Sequence, residues 1–150
     1  MPRIRPYADA HVDDVLDVWY AAALVGHPFL SNDFLGAERQ RLAEQCLPAS
    51  ETFVFGEAGR VVGFVAMIGR EVGGLFVAPD WQGQGVGRQL LDHVRSSRPV
   101  LEVNVFEANT HARRFYEAYG FVVVGRQISE VAGEPELHLL LPADSGTSRS

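Results

Sequence analysis

A chain of 150 residues, 47% of them hydrophobic, is long enough to form a domain with a substantial core. Its net charge of −6 argues against nucleic acid as the main partner, because a basic patch is the usual footprint of such proteins. The single cysteine, Cys46, excludes an intrachain disulfide. No apolar run approaches the roughly 20 residues that cross a bilayer, and the N-terminus lacks the apolar core of a signal peptide. We therefore expect a cytoplasmic protein without a membrane partner.

The N-terminal third has the pattern of one strand followed by two helices. Residues 3–7 can form the strand, and Asp9 can cap a first helix whose apolar residues recur at helical spacing. The Gly-His-Pro sequence at residues 26–28 ends that helix, because proline disfavours helical backbone in the residue before it. A second helix is predicted for residues 32–46, ended by Pro48.

The rest of the chain alternates strands with two helices. One helical pattern runs from Val86 to about Ser97, and another runs from Asn109 to Gly120. This order predicts a mixed α/β fold in a single domain, residues 1–143, with a polar disordered tail at residues 144–150. The predicted strands span residues 52–57, 60–68, 71–77, 99–106, 121–131 and 136–141.

A glycine-rich loop joins the strand at residues 71–77 to the next helix. Residues 82–87 are Gln-Gly-Gln-Gly-Val-Gly, and a strand, a glycine loop and a helix N-terminus together direct backbone N–H groups at one place. Such a place suits a phosphate or a pyrophosphate. The loop is not a P-loop, because no Gly-Lys-Ser/Thr is present, and Leu90 occupies the last glycine position of a dinucleotide-binding fingerprint. A glycine-rich turn without a ligand is the alternative.

A second motif occupies residues 109–121. Asn109 can cap a helix, and Gly120 can end that helix in a left-handed turn. The apolar face of this helix carries Ala112, Phe115, Tyr116 and Tyr119.

The two motifs together resemble those of the GNAT N-acetyltransferases. They are Gln-x-x-Gly-x-Gly after a strand, and Asn-x-x-Ala-x-x-Phe-Tyr-x-x-x-Gly-Phe. Residues 27–31 and 75–80 are similar to the YjaB-like bacterial branch, whose members are acetyl-CoA-dependent acetyltransferases, some of them acting on peptidyl lysine. The resemblance implies the acyl-CoA N-acyltransferase fold, with a central mixed sheet of about six to seven strands and about four flanking helices.

The resemblance also implies direct transfer of an acetyl group from a thioester to an amine, which calls for a general base and a general acid. Tyr116 occupies the position of the family's phenol and is the predicted acid; the alternative is a core aromatic. Glu71, just before the Gly73-Gly74 pair that suggests a bulge or splay, matches the strand glutamate that acts as base in the histone-acetyltransferase branch. The alternative is that Glu71 is only an exposed edge carboxylate. In that case His27 or ordered water would accept the proton.

Other relatives carry a catalytic glutamate on the strand before the second motif, where this chain has Asn104. We therefore assign Asn104 to substrate binding, with His27 and Phe29, which lie in the helix break expected to cover the acceptor pocket. The remaining histidines have no metal-ligand spacing, so no metal is predicted.

Three parts of the chain would hold acetyl-CoA according to the resemblance: the strand backbone beside the pantetheine arm, the glycine loop at the pyrophosphate, and the helix of the second motif. The residues are Leu75, Phe76, Val77, Gln82, Gly83, Gln84, Gly85, Val86, Gly87, Arg88, Asn109, Ala112 and Phe115.

The leading hypothesis is an acetyl-CoA-dependent N-acetyltransferase whose acceptor is a primary amine, either a peptidyl lysine or a small molecule. A catalytically inactive acyl-CoA-binding regulatory protein is the rival, and a module that binds no such ligand is a third option. Residues 20–50 and 125–138, which would form the acceptor pocket, contain no decisive motif. The acceptor therefore stays open, as does the choice between a monomer and a homodimer.

Overall fold

The computed structural model describes residues 3–26 and 29–143, which form a seven-stranded mixed sheet with helices on both faces. The predicted disordered tail and His27 lie outside the described residues. The sheet order is β1-β2-β3-β4-β5-β7-β6. The strands are β1 Ile4–Pro6, β2 Glu51–Glu57, β3 Arg60–Ile68, β4 Glu71–Val77, β5 Leu101–Phe106, β6 Val122–Ile128 and β7 Pro135–Leu141.

Among the described residues, five α-helical segments accompany the sheet. They are α1 Val12–Gly26, α2 Asn32–Arg41, the single turn α3 Leu47–Ala49, α4 Val86–Arg95 and α5 Thr110–Tyr119. The predicted mixed sheet and its flanking helices are therefore confirmed. Among the described residues, no helix combines the length and the apolar character that crossing a bilayer requires.

The sheet separates two apolar clusters. Helices α1 and α2 pack on one face, with Val15 and Leu35 buried there. Helices α4 and α5 pack on the other face, where Leu90 and Tyr116 are buried. Strand β3 lies between the clusters, and its residues 61–67 are all buried, because both of its faces are covered by helices.

The second predicted helix continues farther than expected. Pro48 was predicted to end it, but the backbone passes from α2 through a π-helical segment, Leu42–Cys46, into α3, which contains Pro48. Proline lacks the N–H of a regular i→i−4 hydrogen bond, and a π-type turn before it accommodates this loss. Asp9 also differs from the expectation, because it lies inside a short 3₁₀ turn that begins after Ala8.

Candidate active site

The sheet opens between β4 and β5, its parallel strand pair. Only Glu71 and Val72 of β4 pair with β5, opposite Glu102 and Val103. Gly73 is a bulge in β4, because Met67 of β3 pairs with Val72 whereas the preceding Ala66 pairs with Gly74. The predicted bulge or splay is thus present as a bulge followed by parting of the strands. Beyond Val72, the β4 backbone groups that face β5 have no strand partner in the described chain.

A cavity of about 1060 Å³ occupies the opening between these strands. Both parted strands line it, through residues such as Leu75 on β4 and Asn104 on β5. The N-terminal loop of α4 and one side of α5 line it as well. One cavity therefore brings together the two sequence motifs, which lie about 25 residues apart in the chain.

The glycine loop has the backbone conformation that only glycine adopts readily. Gly83 has φ +79° and Gly85 has φ +86°. Gly85 is the residue before α4, so the N–H groups of the first helical turn have no intrahelical acceptor and face the loop. The Gln82 side-chain amide donates to the Val77 carbonyl at 3.0 Å, and that of Gln84 donates to the Asp80 carbonyl at 3.1 Å. These two bonds fix the path of the loop.

Helix α5 packs against the first turn of α4. The Asn109 side chain caps α5 by accepting from the Ala112 N–H at 3.1 Å, as predicted from the sequence. A Cβ atom built on Gly87 would lie 3.0 Å from Cζ of Phe115, so glycine permits the close packing of α4 on α5. The two motifs are therefore in contact as well as adjacent to one cavity.

Tyr116 is buried on the inner face of α5 but lines the cavity. Its ring packs edge-on against Phe115 and Phe121, with centroids 5.2 Å away in each case. This burial raises the pKa of the Tyr116 phenol well above its usual value. The hydroxyl consequently stays protonated at neutral pH, as a proton donor must.

Glu71 lines the same cavity at the point where the strands part. The Asn104 side-chain N–H donates to Oε2 of Glu71 at 3.5 Å, across the β4–β5 boundary. Oδ1 of Asn104 is in turn 2.8 Å from Nδ1 of His138 on β7. The predicted base and the predicted substrate-binding asparagine are thus direct neighbours.

The structure brings most of the predicted site residues together. Those that line the cavity are Glu71, Leu75, Phe76, Val77, Gln82, Gly83, Gly85, Val86, Gly87, Arg88, Asn104, Asn109, Ala112, Phe115 and Tyr116. Gln84 does not line it, and its side chain is bonded to the loop backbone instead. Phe29 packs edge-on against Phe106, which does line the cavity, with centroids 5.6 Å apart. His27 lies outside the described residues.

Sequence reasoning missed other neighbours of the site. Glu38 and Arg41 on α2 line the cavity and form a 2.8 Å ion pair. His138 is one of the remaining histidines, for which the sequence indicated no role. The alternation of Glu102 and Asn104 along β5 places both on one sheet face, but nothing in the local pattern indicates that β7 pairs beside them. Residues 3–26 and 29–143 contain no group of three metal-ligating side chains.

Comparison with known proteins identifies the family. The model of the acetyltransferase (GNAT) domain matches residues 27–133. A peptidyl-lysine N-acetyltransferase, YjaB of Salmonella typhimurium strain LT2, is 34% identical over 145 residues, covering 95% of this chain and 99% of that protein. The chain belongs to the GNAT acetyltransferase family.

Other GNAT proteins agree with this assignment. YiaC of Escherichia coli K12, also a peptidyl-lysine N-acetyltransferase, is 30% identical and covers 81% of this chain and 84% of its own length. The solution structure of apo YjaB from Escherichia coli superposes with a TM-score of 0.83 at 31% identity, covering 94% of this chain and 97% of that one. The predicted GNAT fold is therefore confirmed, and acetyl-CoA is the acyl donor of the fold's acetyltransferases.

Proposed function

We propose that this GNAT protein transfers the acetyl group of acetyl-CoA directly to a primary amine, with the side chain of a peptidyl lysine as the acceptor class. Glu71 acts as the general base and Tyr116 as the general acid. The observation that carries the proposal is the position of these two residues: a carboxylate and a buried, protonated phenol line one cavity that also contains the glycine loop.

The described residues fit acetyl-CoA. The N–H groups at the start of α4 suit the pyrophosphate, and Arg88 beside them adds positive charge. The unpaired edge of β4 beyond Val72 offers strand-like hydrogen bonds to the pantetheine amides, and one of its N–H groups is available to polarise the thioester carbonyl. Acetyl-CoA supplies the acetyl group as an activated thioester.

Charge favours a cationic acceptor. Glu71, Glu130 and Glu136 all line the cavity. Carboxylates in a cleft raise the local concentration of cations, and the lysine ammonium is the cation on which the named YjaB and YiaC relatives act. A peptidyl lysine combines this charge with a side chain long enough to enter a cleft.

Glu71 and Tyr116 each transfer a proton during the reaction. Glu71 removes a proton from the acceptor ammonium, directly or through water, and frees the nitrogen lone pair for attack on the carbonyl carbon. Tyr116 donates its proton to sulfur as the carbon–sulfur bond breaks, because burial keeps its hydroxyl protonated. The attacking nitrogen loses its second proton as the amide forms, and this proton replaces the one that Tyr116 gave up. Glu71 releases its proton to solvent, so the products are the acetylated amine, a free thiol and one proton.

Replacement of Tyr116 tests the acid. With acetyl-CoA and a lysine-containing peptide, Tyr116→Phe should lower kcat roughly 10²-fold, as expected for loss of a general acid, while acetyl-CoA affinity measured by calorimetry stays unchanged. Tyr119→Phe is the matched control, because Tyr119 lies on the same helix and does not line the cavity. Full turnover of Tyr116→Phe would show that Tyr116 is not the general acid. If the wild-type protein binds acetyl-CoA but releases no thiol with any amine, the alternative of a catalytically inactive regulatory protein is favoured.

Replacement of Glu71 tests the base. A lysine amine has a pKa of about 10.4 in water, so little of it is neutral at pH 7. In Glu71→Gln the turnover rate should be low at neutral pH and should rise about tenfold per pH unit as the amine loses its proton to solution. A pH–rate profile identical to that of the wild type would exclude Glu71 as the base.

A further inference from the structure

A row of polar side chains leads from the cavity wall across the sheet to solvent. Glu71 at the cavity contacts Asn104, and Asn104 contacts Nδ1 of His138. On its other side, Nε2 of His138 is 3.1 Å from Oε1 of Glu102. The other Glu102 carboxylate oxygen accepts from Nε of Arg70 in the turn between β3 and β4. The row thus connects three strands through side chains on one sheet face.

The chemistry of these groups fixes their orientation. An ionised carboxylate only accepts hydrogen bonds, so Asn104 must present its NH₂ group to Glu71. The carbonyl oxygen of the same amide then faces His138, and since it also only accepts, Nδ1 of His138 must carry a hydrogen. Nε2 of His138 is 3.1 Å from Oε1 of Glu102 and donates to it when the imidazole carries both hydrogens. If His138 is replaced, the Asn104 amide is free to rotate, and the hydrogen bond that it donates to Glu71 is lost.

The need for such an arrangement follows from the strand register. Glu71 and Glu102 are direct partners in the parallel pair, and their side chains project to the same sheet face. Like charges directly opposite each other in a sheet are destabilising. Arg70 and His138 both bind Glu102 and hold it away from the cavity. The Glu71 carboxylate therefore contacts Asn104 and the cavity rather than Glu102.

We propose that His138 is a positioning residue, which holds the Asn104 amide with its NH₂ group toward Glu71 and so aims the Glu71 carboxylate at the acceptor amine. This inference rests on the proposed role of Glu71 as the base. His138 itself does not line the cavity, and it acts only through Asn104.

The surroundings of His138 contain few other charges that could take over this role. From β5 it faces Glu102 and Asn104, and from β6 its Cα partner is Gly125, which brings no side chain. Glu136, two residues away on the same face of β7, accepts from the Gln127 side chain at 2.7 Å instead. Within the described residues, Nδ1 of His138 therefore has Asn104 as its hydrogen-bond partner.

Two substitutions separate positioning from packing. His138→Leu removes the donor to Asn104, whereas His138→Asn retains one, because Nδ2 of asparagine occupies the place of the imidazole Nδ1. We expect kcat for a lysine peptide to fall at least tenfold in His138→Leu and to recover most of the loss in His138→Asn. The affinity for acetyl-CoA, measured by calorimetry, should not change in either. His93→Leu is the control, because His93 is exposed on α4 and lies outside the cavity lining.

A double-mutant cycle with Glu71→Gln shows where His138 acts. If His138 works through Glu71, His138→Leu should have no further effect in the Glu71→Gln background. Equal losses in both backgrounds, or full activity in His138→Leu, would overturn the inference. If Glu71→Gln alone is fully active, the proposed base has failed, whatever the result at His138.

Nuclear magnetic resonance of the ring nitrogens tests the same inference without a variant that must fold. In the wild-type protein, the Nδ1 resonance of His138 should be that of a protonated nitrogen. An unprotonated Nδ1 would mean that His138 accepts from Asn104, which would turn the amide oxygen toward Glu71 and contradict the inference.

Discussion

Tyr116 and Tyr119 lie on neighbouring turns of α5 but have different surroundings. Tyr116 is enclosed by aromatic rings and is isolated from water, which raises the pKa of its phenol. Tyr119 lies nearer the surface and donates to Oδ1 of Asp92 at 2.5 Å. Burial, with the hydrogen bond to Asp92, raises the pKa of Tyr119 to about 12. Both phenols thus remain protonated at neutral pH, but only that of Tyr116 lines the cavity.

The raised pKa of Tyr119 predicts a loss of stability in alkali. Below pH 10.0, the ordinary pKa of tyrosine, the phenol is protonated in both the folded and the unfolded chain. Above that pH the unfolded chain loses the proton first, so the free energy of unfolding should fall until the folded pKa, about 12, is passed. Urea unfolding at a series of pH values measures this decline, which should be shallower in Tyr119→Phe.

Asp92→Asn provides a second check of that interpretation. The substitution keeps a hydrogen-bond acceptor but removes the negative charge that disfavours the Tyr119 phenolate. The pKa of Tyr119, followed by ultraviolet absorbance of the phenolate, should therefore fall. An unchanged titration curve would contradict the role given to Asp92.

Two glycines in helical elements have opposite effects on the stability of the fold. Gly85 immediately precedes α4 with φ +86°, a conformation that strains other residues. Gly36 lies within α2 with an exposed surface, and a Cβ atom there would meet no neighbour within 4 Å. Gly85 is required by the left-handed backbone of the loop. Gly36 meets no such requirement and only increases the conformational entropy that α2 loses on folding.

Substitution by alanine should therefore have opposite effects at these two positions. Gly85→Ala should destabilise the fold by about 1–2 kcal/mol through left-handed strain and should weaken acetyl-CoA binding, because the loop must move. Gly36→Ala should stabilise the fold by about 0.5–1 kcal/mol and leave binding unchanged. Thermal unfolding and calorimetry of the two variants measure both quantities. Undiminished affinity in Gly85→Ala would show that the loop is not the pyrophosphate site.

At the scale of the whole molecule, the cavity connects the helices on both sheet faces. Trp19 of α1, Leu35 of α2, Val86 of α4 and Tyr116 of α5 all line it. Each of these residues also belongs to one of the two buried clusters. A ligand in the cavity would thus contact elements from both layers, and its binding energy would stabilise the fold as a unit.

Thermal unfolding with acetyl-CoA tests this coupling. A ligand that binds only the folded state stabilises it by about 2.7 kcal/mol at a hundred times its Kd. For a domain of this size each kcal/mol raises Tm by about 2–4 °C, so we expect a rise of roughly 5–10 °C. Free CoA should give a similar rise, because it shares the pyrophosphate and the pantetheine. No shift with either ligand at millimolar concentration would exclude the proposed cofactor site.

The sequence by itself determined the local elements and the cofactor motifs. Apolar runs bounded by turn residues located β3 and β4 at their observed bounds, and Asn109 and Val86 were placed where α5 and α4 begin. These features depend on neighbours within a few residues: side-chain caps, glycine backbone freedom and amphipathic spacing. Together with the resemblance, these features predicted the family, the fold and most of the residues that line the cavity.

Only the tertiary structure decided which distant side chains meet. Strand β7 inserts between β5 and β6, so His138 pairs opposite Asn104, 34 positions away in the chain. Because β4 and β5 part after Val72, the Glu71 side chain borders the cavity. No local sequence pattern predicts that Asn104 of β5 is its neighbour. The chain likewise stays helical through Pro48, since Leu47 beside it is buried in the cluster with α1 and α2, and this packing overrides a local helix breaker. Strand pairing is a non-local choice, fixed by how the whole sheet buries its two faces, and the polar row behind the candidate base follows from it.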